Sequence, residues 1–173
     1  MLFNDFPFLL VFLPAAIVLY RLADPYPPLR IPVLVALSLA FYGYGDPPFL
    51  LLLAGSIIGN WLAVVAYARF KARLILTLAI IANLALLGLF KYADFVAVNV
   101  NLLIGRGFQP LDLALPLGIS FFTFHHIMYL VDLRAGKAPL YTLDRYALYI
   151  SFFPQAIAGP LARWSEVCLL YTS

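Results

Sequence analysis

The chain has 173 residues, of which 65% are hydrophobic and only 11% are charged. A soluble domain is about half apolar and about a quarter charged, so this composition excludes an ordinary soluble protein and indicates an integral membrane protein. The net charge of +3 is small and spread along the loops, which favours contact with a membrane surface and excludes nucleic acid as a partner. The single cysteine, Cys168, excludes an internal disulfide.

Charge-free runs predict six membrane helices, and the first two lie within the first 45 residues. The first covers residues 6–20, where Pro14 is expected to kink the helix. No basic segment precedes this run, so it is predicted to be a helix and not a cleaved leader. Residues 21–30 are rich in proline and are expected to form a stiff connector. The second helix then covers residues 31–44.

The third predicted helix, residues 47–68, is the longest run without a charge. Asp46 is expected to cap it, because Pro47 suits the first helical position. The pairs Gly55-Ser56 and Gly59-Asn60 repeat a small, weakly polar pattern four residues apart. This pattern is interpreted as a helix-packing stripe, with a binding site as the less favoured alternative.

The fourth predicted helix, residues 74–90, contains one amide side chain, Asn83, which is expected to hydrogen-bond to another helix and not to a substrate. The segment that follows, residues 91–103, mixes charged and amide side chains with large apolar ones. That pattern is typical of a helix lying at the membrane interface.

The fifth predicted helix, residues 113–132, is the most informative run, and Asp112 is expected to cap it. It has no charge through Val131, yet it carries five polar side chains: Ser120, Thr123, His125, His126 and Tyr129. Polar groups within hydrocarbon are costly unless they face a protein interior or a wet cavity. These five residues are therefore predicted to line a substrate cavity.

The sixth run, residues 146–162, contains Pro154 and then Gly159-Pro160, which interrupt a helix. Such a break at membrane depth requires protein or a cavity to satisfy the freed backbone groups. The nearby Gln155 and Arg163 are therefore added to the predicted cavity lining. An ordinary kinked helix that ends at the interface is the alternative interpretation.

The basic residues predict the orientation. With the N-terminus outside, eight of the eleven Lys and Arg residues lie in inside loops, and this bias favours an N-out topology. No internal repeat is present, so residues 1–167 are predicted to form a single membrane domain. The predicted fold class is an all-α, polytopic transmembrane helical bundle of about six membrane helices with interfacial or re-entrant pieces.

Three motifs, taken together, carry a family resemblance. LPLGISFFTFHHIMYLVDLRAG is followed by YALYISFFPQAIAGPLARW, and the segment FKYADF precedes both. In this order and spacing, they resemble the P-x-G-I-S-F-[FY]-x-F, F-F-P-x-x-I-A-G-P and F-K-Y-x-x-F segments of the membrane-bound O-acyltransferase family. The branch they resemble is that of the bacterial alginate O-acetyltransferases. Pro116, Gly118, Pro154, Gly159 and Pro160 are the structural residues of these motifs.

The resemblance implies a multi-pass enzyme of the bacterial inner membrane. Such an enzyme transfers an acetyl or other acyl group from a thioester donor, with acetyl-CoA implied, and it binds no other cofactor. The acceptor is a hydroxyl group of an exported cell-surface polysaccharide or a periplasmic acetyltransferase partner. In the family, the catalytic base is a histidine beyond these motifs, so it is expected downstream of this chain. The chain alone is then expected to be inactive, and residues 168–173 are predicted to be a non-native tail.

The histidine pair, His125 and His126, lies within the first motif, where the branch also carries Gln or Glu. We expect at least one of these side chains to be a buried structural or cavity-lining group, bonded to Tyr129 or to a backbone carbonyl. Contact with donor or acceptor is the second possibility, and direct catalysis is the third. Adjacent histidines point about 100° apart on a helix, so no shared metal site is predicted.

Two other classes of protein are left open. Half of a transporter, or a channel subunit, would also place polar groups on interrupted helices, and residues 116–118 and 158–160 fit such interruptions. The absence of internal symmetry speaks against it. A structural membrane subunit is the simpler alternative, but it leaves the polar side chains of the fifth run unexplained.

Overall fold

The computed structural model describes residues 6–45, 47–104 and 118–152, and all regular secondary structure within these ranges is helical. The described part contains six α-helices. They are α1 (Leu13–Ala23), α2 (Pro27–Gly45), α3 (Pro47–Phe70), α4 (Arg73–Ile104), α5 (Ile119–Arg134) and α6 (Leu143–Ser151). This architecture confirms the predicted all-α class.

A π-helical turn, Phe8–Phe12, leads directly into α1. Pro14 lies in the first turn of α1 and has no N–H to donate to the carbonyl four residues earlier, which explains why the backbone widens here. The distortion therefore occurs on the N-terminal side of Pro14. The rings of Phe8 and Phe12 both pack on Phe41 of α2, each with ring centroids 5.5 Å apart.

The predicted connector between the first two helices is much shorter in the structure. Helix α2 begins at Pro27, so the prediction that residues 21–30 cannot be helical was wrong. Proline is tolerated in the first turn of a helix, because the N–H it lacks would have no partner there. Arg30 in that turn lies 3.1 Å from the Asp24 carboxylate and also donates to the Asp24 carbonyl, which ties α2 to the end of α1.

Helix α3 begins at Pro47, as predicted, whereas α4 differs from the prediction. The fourth predicted helix and the predicted interfacial segment, residues 91–103, form one continuous helix of 32 residues. No glycine or proline between Lys91 and Ile104 interrupts the backbone hydrogen bonds. At about 1.5 Å per residue, α4 is longer than a bilayer core of about 30 Å is thick.

Two described helical segments are long and apolar enough to cross a membrane: all of α3, Pro47–Phe70, and the first part of α4, Arg73–Tyr92. Only 22% of the most apolar stretch of the first and 11% of that of the second is buried. A core helix of a soluble protein would be mostly buried, whereas here Leu51 and Leu78 stay exposed. The remaining four of the six membrane helices stay a prediction.

The core lies around α6, in which the six residues from Tyr146 to Ser151 are all buried. Helix α3 packs beside it and contacts α2, α4, α5 and α6. Tyr146 packs edge-on against Tyr129 of α5, with ring centroids 5.1 Å apart. The histidine pair lies in this aromatic region, which makes it the part of the fold that positions the candidate site.

Candidate functional site

Helix α5 carries the histidine pair, and Gly118 fixes where this helix begins. Gly118 is its N-cap and has a φ of 75°, a left-handed conformation that a side chain disfavours. The prediction that Asp112 caps this helix was therefore wrong. Residues 105–117 lie outside the described ranges, so the first part of the predicted fifth run is not described.

His126 bonds to two other helices. Its Nδ1 lies 2.6 Å from the Tyr146 hydroxyl of α6, and its Nε2 lies 3.2 Å from the Ser56 hydroxyl of α3. Ser56 in turn donates to the carbonyl of Leu53 at 2.8 Å. Because the Ser56 hydroxyl hydrogen is used in that bond, the Ser56 oxygen accepts a hydrogen bond from His126 Nε2–H. The Tyr146 hydroxyl then donates a hydrogen bond to His126 Nδ1. We call this the Ser56–His126–Tyr146 chain.

This chain uses both ring nitrogens of His126 in a fully buried position. Burial with every donor and acceptor paired is a structural arrangement, because proton transfer to a substrate would break a bond between helices. Sequence reasoning missed Ser56 and Tyr146 as partners. The only available signals were the small-residue stripe that contains Ser56 and the second motif, which begins at Tyr146.

Tyr129 fixes the connection between α5 and α6. Its hydroxyl donates to the carbonyl of Pro139 at 2.7 Å and accepts from the backbone N–H of Tyr141 at 3.1 Å. The Tyr141 ring stacks on the Tyr129 ring, and the indole N–H of Trp61 in α3 donates to the Tyr141 carbonyl. In the structure, the Tyr129 hydroxyl thus holds the loop between two helices.

Asn60 and Asn83 form a reciprocal amide pair between α3 and α4. Asn60 Nδ2 donates to Asn83 Oδ1 at 3.2 Å, and Asn83 Nδ2 donates to Asn60 Oδ1 at 2.6 Å. The second N–H of each amide donates to its own helix backbone, at Ser56 and Ala79 respectively. The expectation that Asn83 bonds to another helix is confirmed.

The packing prediction for the two glycines of that stripe was wrong within the described part of the chain. A Cβ atom added at Gly55 or Gly59 would meet nothing within 4 Å among the described residues. Gly59 instead borders a groove of about 540 Å³ between α3 and α4 whose floor includes Asn60 and Asn83. The polar members of the stripe make the contacts, and the glycines face open space.

His125 differs from its neighbour. Its Nδ1 lies 2.8 Å from the carbonyl of Phe121, which agrees with the expected backbone partner, and its ring meets Tyr149 edge-on at 5.2 Å. Its Nε2 is buried and has no hydrogen-bond partner among the described residues. His125 also lines a small cavity where α5 begins and α6 ends, together with Tyr42, Leu53, Gly118, Ile150 and Ser151.

The other predicted site residues are placed as follows. Ser120 is partly buried, and Thr123 is fully buried with no hydrogen bond from its Oγ1 to any described residue. Helix α6 ends at Ser151, and Phe152 has already left the helical conformation. The remaining predicted residues lie outside the described ranges, and these are Pro116, Pro154, Gln155, Gly159, Pro160 and Arg163. Within those ranges, no three His, Cys, Asp or Glu residues are grouped to hold a metal ion.

Comparison with known proteins places this arrangement in a family context. The chain is 38% identical to a peptidoglycan O-acetyltransferase of Helicobacter pylori, across 96% of this chain and 38% of that protein. It is 36% identical to the probable alginate O-acetylase AlgI of Pseudomonas aeruginosa, across 96% of this chain and 34% of that protein. The Pseudomonas putida AlgI is 35% identical over similar shares, 96% and 36%.

No family profile matches the chain, and no solved structure is similar to it. The chain spans little more than a third of the length of the relatives reported above. Each of the three is nevertheless matched across 96% of this chain, at an identity of 35% or more. The family resemblance predicted from the three motifs is thereby confirmed, and the chain is a homologue of bacterial O-acetyltransferases of the membrane-bound O-acyltransferase type.

Proposed function

We propose that this chain is part of a membrane O-acyltransferase. The intact enzyme transfers an acetyl group from a thioester donor, acetyl-CoA, to hydroxyl groups of an exported cell-surface polysaccharide or to a periplasmic acetyltransferase partner. The observation that carries this proposal is the match of nearly the whole chain to relatives named as peptidoglycan and alginate O-acetylating enzymes. The proposed location is the bacterial inner membrane, spanned by about six helices, with the N-terminus outside.

The reaction needs a base and a well-placed acceptor. The acceptor oxygen attacks the thioester carbonyl carbon while a base takes the hydroxyl proton, and the carbon–sulfur bond then breaks so that the thiolate leaves. His126 is poorly suited as this base, because both of its nitrogens are bonded within the protein. Since the family resemblance implies a base downstream of this chain, we propose that the base lies beyond residue 173 and that α3, α5 and α6 form one wall of the reaction chamber.

The experiment compares two proteins in inside-out membrane vesicles: the product of the whole reading frame and this 173-residue chain. Labelled acetyl-CoA is added outside these vesicles, on the cytoplasmic face, and de-O-acetylated alginate or de-O-acetylated peptidoglycan is enclosed in their lumen as acceptor. We expect label in base-labile esters only with the whole product. Turnover by the 173-residue chain would overturn the placement of the base. Label on neither polymer and on no vesicle protein, with either chain, would overturn the transferase proposal.

Half of a transporter is the alternative function, and a structural membrane subunit is the other. The same vesicles separate them from a transferase. Uptake of labelled donor without ester formation would favour a transporter, and neither uptake nor ester would favour a structural subunit.

A further inference from the structure

The two adjacent histidines have different bonding states, although they share one motif and one helix. His126 has a partner at each ring nitrogen, from α3 and from α6. His125 has one partner, the Phe121 carbonyl, and its Nε2 is buried with no partner among the described residues. Only His125 thus has a ring atom available to a ligand.

The Phe121 bond fixes what kind of ligand this is. A backbone carbonyl only accepts hydrogen bonds, so the proton of the neutral ring lies on Nδ1. Nε2 then carries a lone pair and accepts one hydrogen bond. A charged ring would instead need a second acceptor for Nε2–H, and no acceptor among the described residues lies within hydrogen-bond distance of Nε2. The missing partner is therefore a hydrogen-bond donor.

The cavity beside His125 limits the size of that donor. It offers about 10 Å³ to the centre of a water-sized sphere, which is room for about one such group. Leu53 and Ile150 give it apolar walls, and the Ser151 hydroxyl beside it already donates to the Ala147 carbonyl. An ion would lose its hydration there without compensation, whereas a single hydroxyl group fits the space and the acceptor.

We propose that this cavity binds one hydroxyl group of the acetyl acceptor, which donates its hydrogen bond to His125 Nε2. The inference rests on the proposed function and deepens it, because it assigns acceptor binding to a residue of this chain. His125 is a binding residue in this scheme, and the base that removes the reacting proton is a separate group.

The test uses the whole enzyme with acetyl-CoA and whichever of the two de-O-acetylated polymers the unaltered protein acetylates. His125→Leu is expected to raise the KM for the polymer about tenfold, equivalent to about 1.4 kcal/mol, with kcat changed by less than about threefold. His125→Gln keeps a hydrogen-bond acceptor and is expected to restore most of the affinity. The thermal midpoint of His125→Leu is expected to stay close to that of the unaltered protein, because removal of a buried unpaired acceptor offsets the lost bond to the Phe121 carbonyl.

The matched control is His126→Leu, one residue along the same helix. This variant is expected to show a lower midpoint and a KM within about twofold of normal, because it breaks bonds within the protein and none to substrate. The two variants should therefore separate affinity from stability.

Three results would overturn the inference. An unchanged KM in His125→Leu would mean that the cavity holds only water. A kcat lowered by about a thousandfold would make His125 the base instead of a binding group. A midpoint that is lowered in His125→Leu and restored in His125→Gln, which keeps an acceptor, would mean that Nε2 already has a partner within the protein. Absence of transfer by the unaltered enzyme would count against the proposed function, whereas transfer with an unchanged KM in His125→Leu would count against this inference alone.

Discussion

Replacing Tyr146 by Phe tests the Ser56–His126–Tyr146 chain most directly, since it deletes a single oxygen. That oxygen lies 2.6 Å from His126 Nδ1, and both side chains are fully buried. The substitution leaves Nδ1 without a donor in a place that water does not reach. Losing one partner of a buried hydrogen bond costs about 1–3 kcal/mol, and we expect Tyr146→Phe to lower the free energy of unfolding by that amount.

A double-mutant cycle identifies the cause of the loss. In a His126→Leu background, the Tyr146 hydroxyl has already lost its acceptor, so removing that hydroxyl should be neutral or stabilising. The coupling energy between the two substitutions is therefore expected to be about 1–3 kcal/mol. Thermal and chemical unfolding of the whole protein in detergent micelles would measure it.

An exposed tyrosine supplies the control. Tyr44 is 67% exposed, and Tyr44→Phe should change stability by less than about 0.5 kcal/mol. Equal effects of Tyr44→Phe and Tyr146→Phe, or strictly additive effects of Tyr146→Phe and His126→Leu, would refute the hydrogen-bonded chain.

Three further predictions follow from other parts of the fold. Asn60→Leu should lower the free energy of unfolding by about 1–3 kcal/mol, since it removes the partner of the Asn83 amide on α3. The Asn60→Leu/Asn83→Leu double variant should lose less stability than the two single variants added together, and strictly additive losses would argue against the amide pair. Gly118→Ala should lower the free energy of unfolding by about 1–2 kcal/mol, because Gly118 has a φ of 75°. As a control, Gly88→Ala should leave stability unchanged or raise it, because Gly88 lies inside α4 with open space around its Cβ position. A larger loss in Gly88→Ala than in Gly118→Ala would exclude the left-handed cap. With Cys168 replaced by Ser, Lys71→Cys, between α3 and α4, should react with an impermeant maleimide only in inside-out vesicles. Labelling in right-side-out vesicles would reverse the proposed orientation.

Local sequence signals predicted the features of the fold that depend on one or two residues. Pro47 marked the start of α3, because a proline is suited to the first helical turn, and Asn83 marked a contact between helices, because an amide in an apolar run needs a partner. The same reasoning failed for α2, where prolines predicted a connector but Pro27 and Pro28 fall within the first turn of the helix. A proline restricts the backbone conformation, but its presence does not show whether the helix lies before it or after it.

The continuity of α4 and the partners of His126 depend on more distant features. The change from an apolar to a mixed composition at Lys91 suggested a new element, but composition changes along a helix do not end it when the backbone hydrogen bonds continue. Ser56 lies 70 positions before His126 in the chain, and no local pattern connects them. Their pairing depends on how α3 packs against α5 and α6, which only the tertiary structure specifies.

The histidine pair shows how one helix both holds the fold and presents a ligand-binding atom. His126 and Tyr129 lie about one turn apart on α5, and they bond independently to α3, to α6 and to the loop before α6. Two separate attachments prevent α5 from rotating or sliding, so the loss of one leaves the other in place. His125 precedes His126 by one residue and points about 100° away, toward the cavity that it lines. A nitrogen atom that binds a ligand must be held in a fixed position by the residues around it. The structural neighbour supplies that position, and this explains why the two histidines should differ in their effects on stability and on affinity.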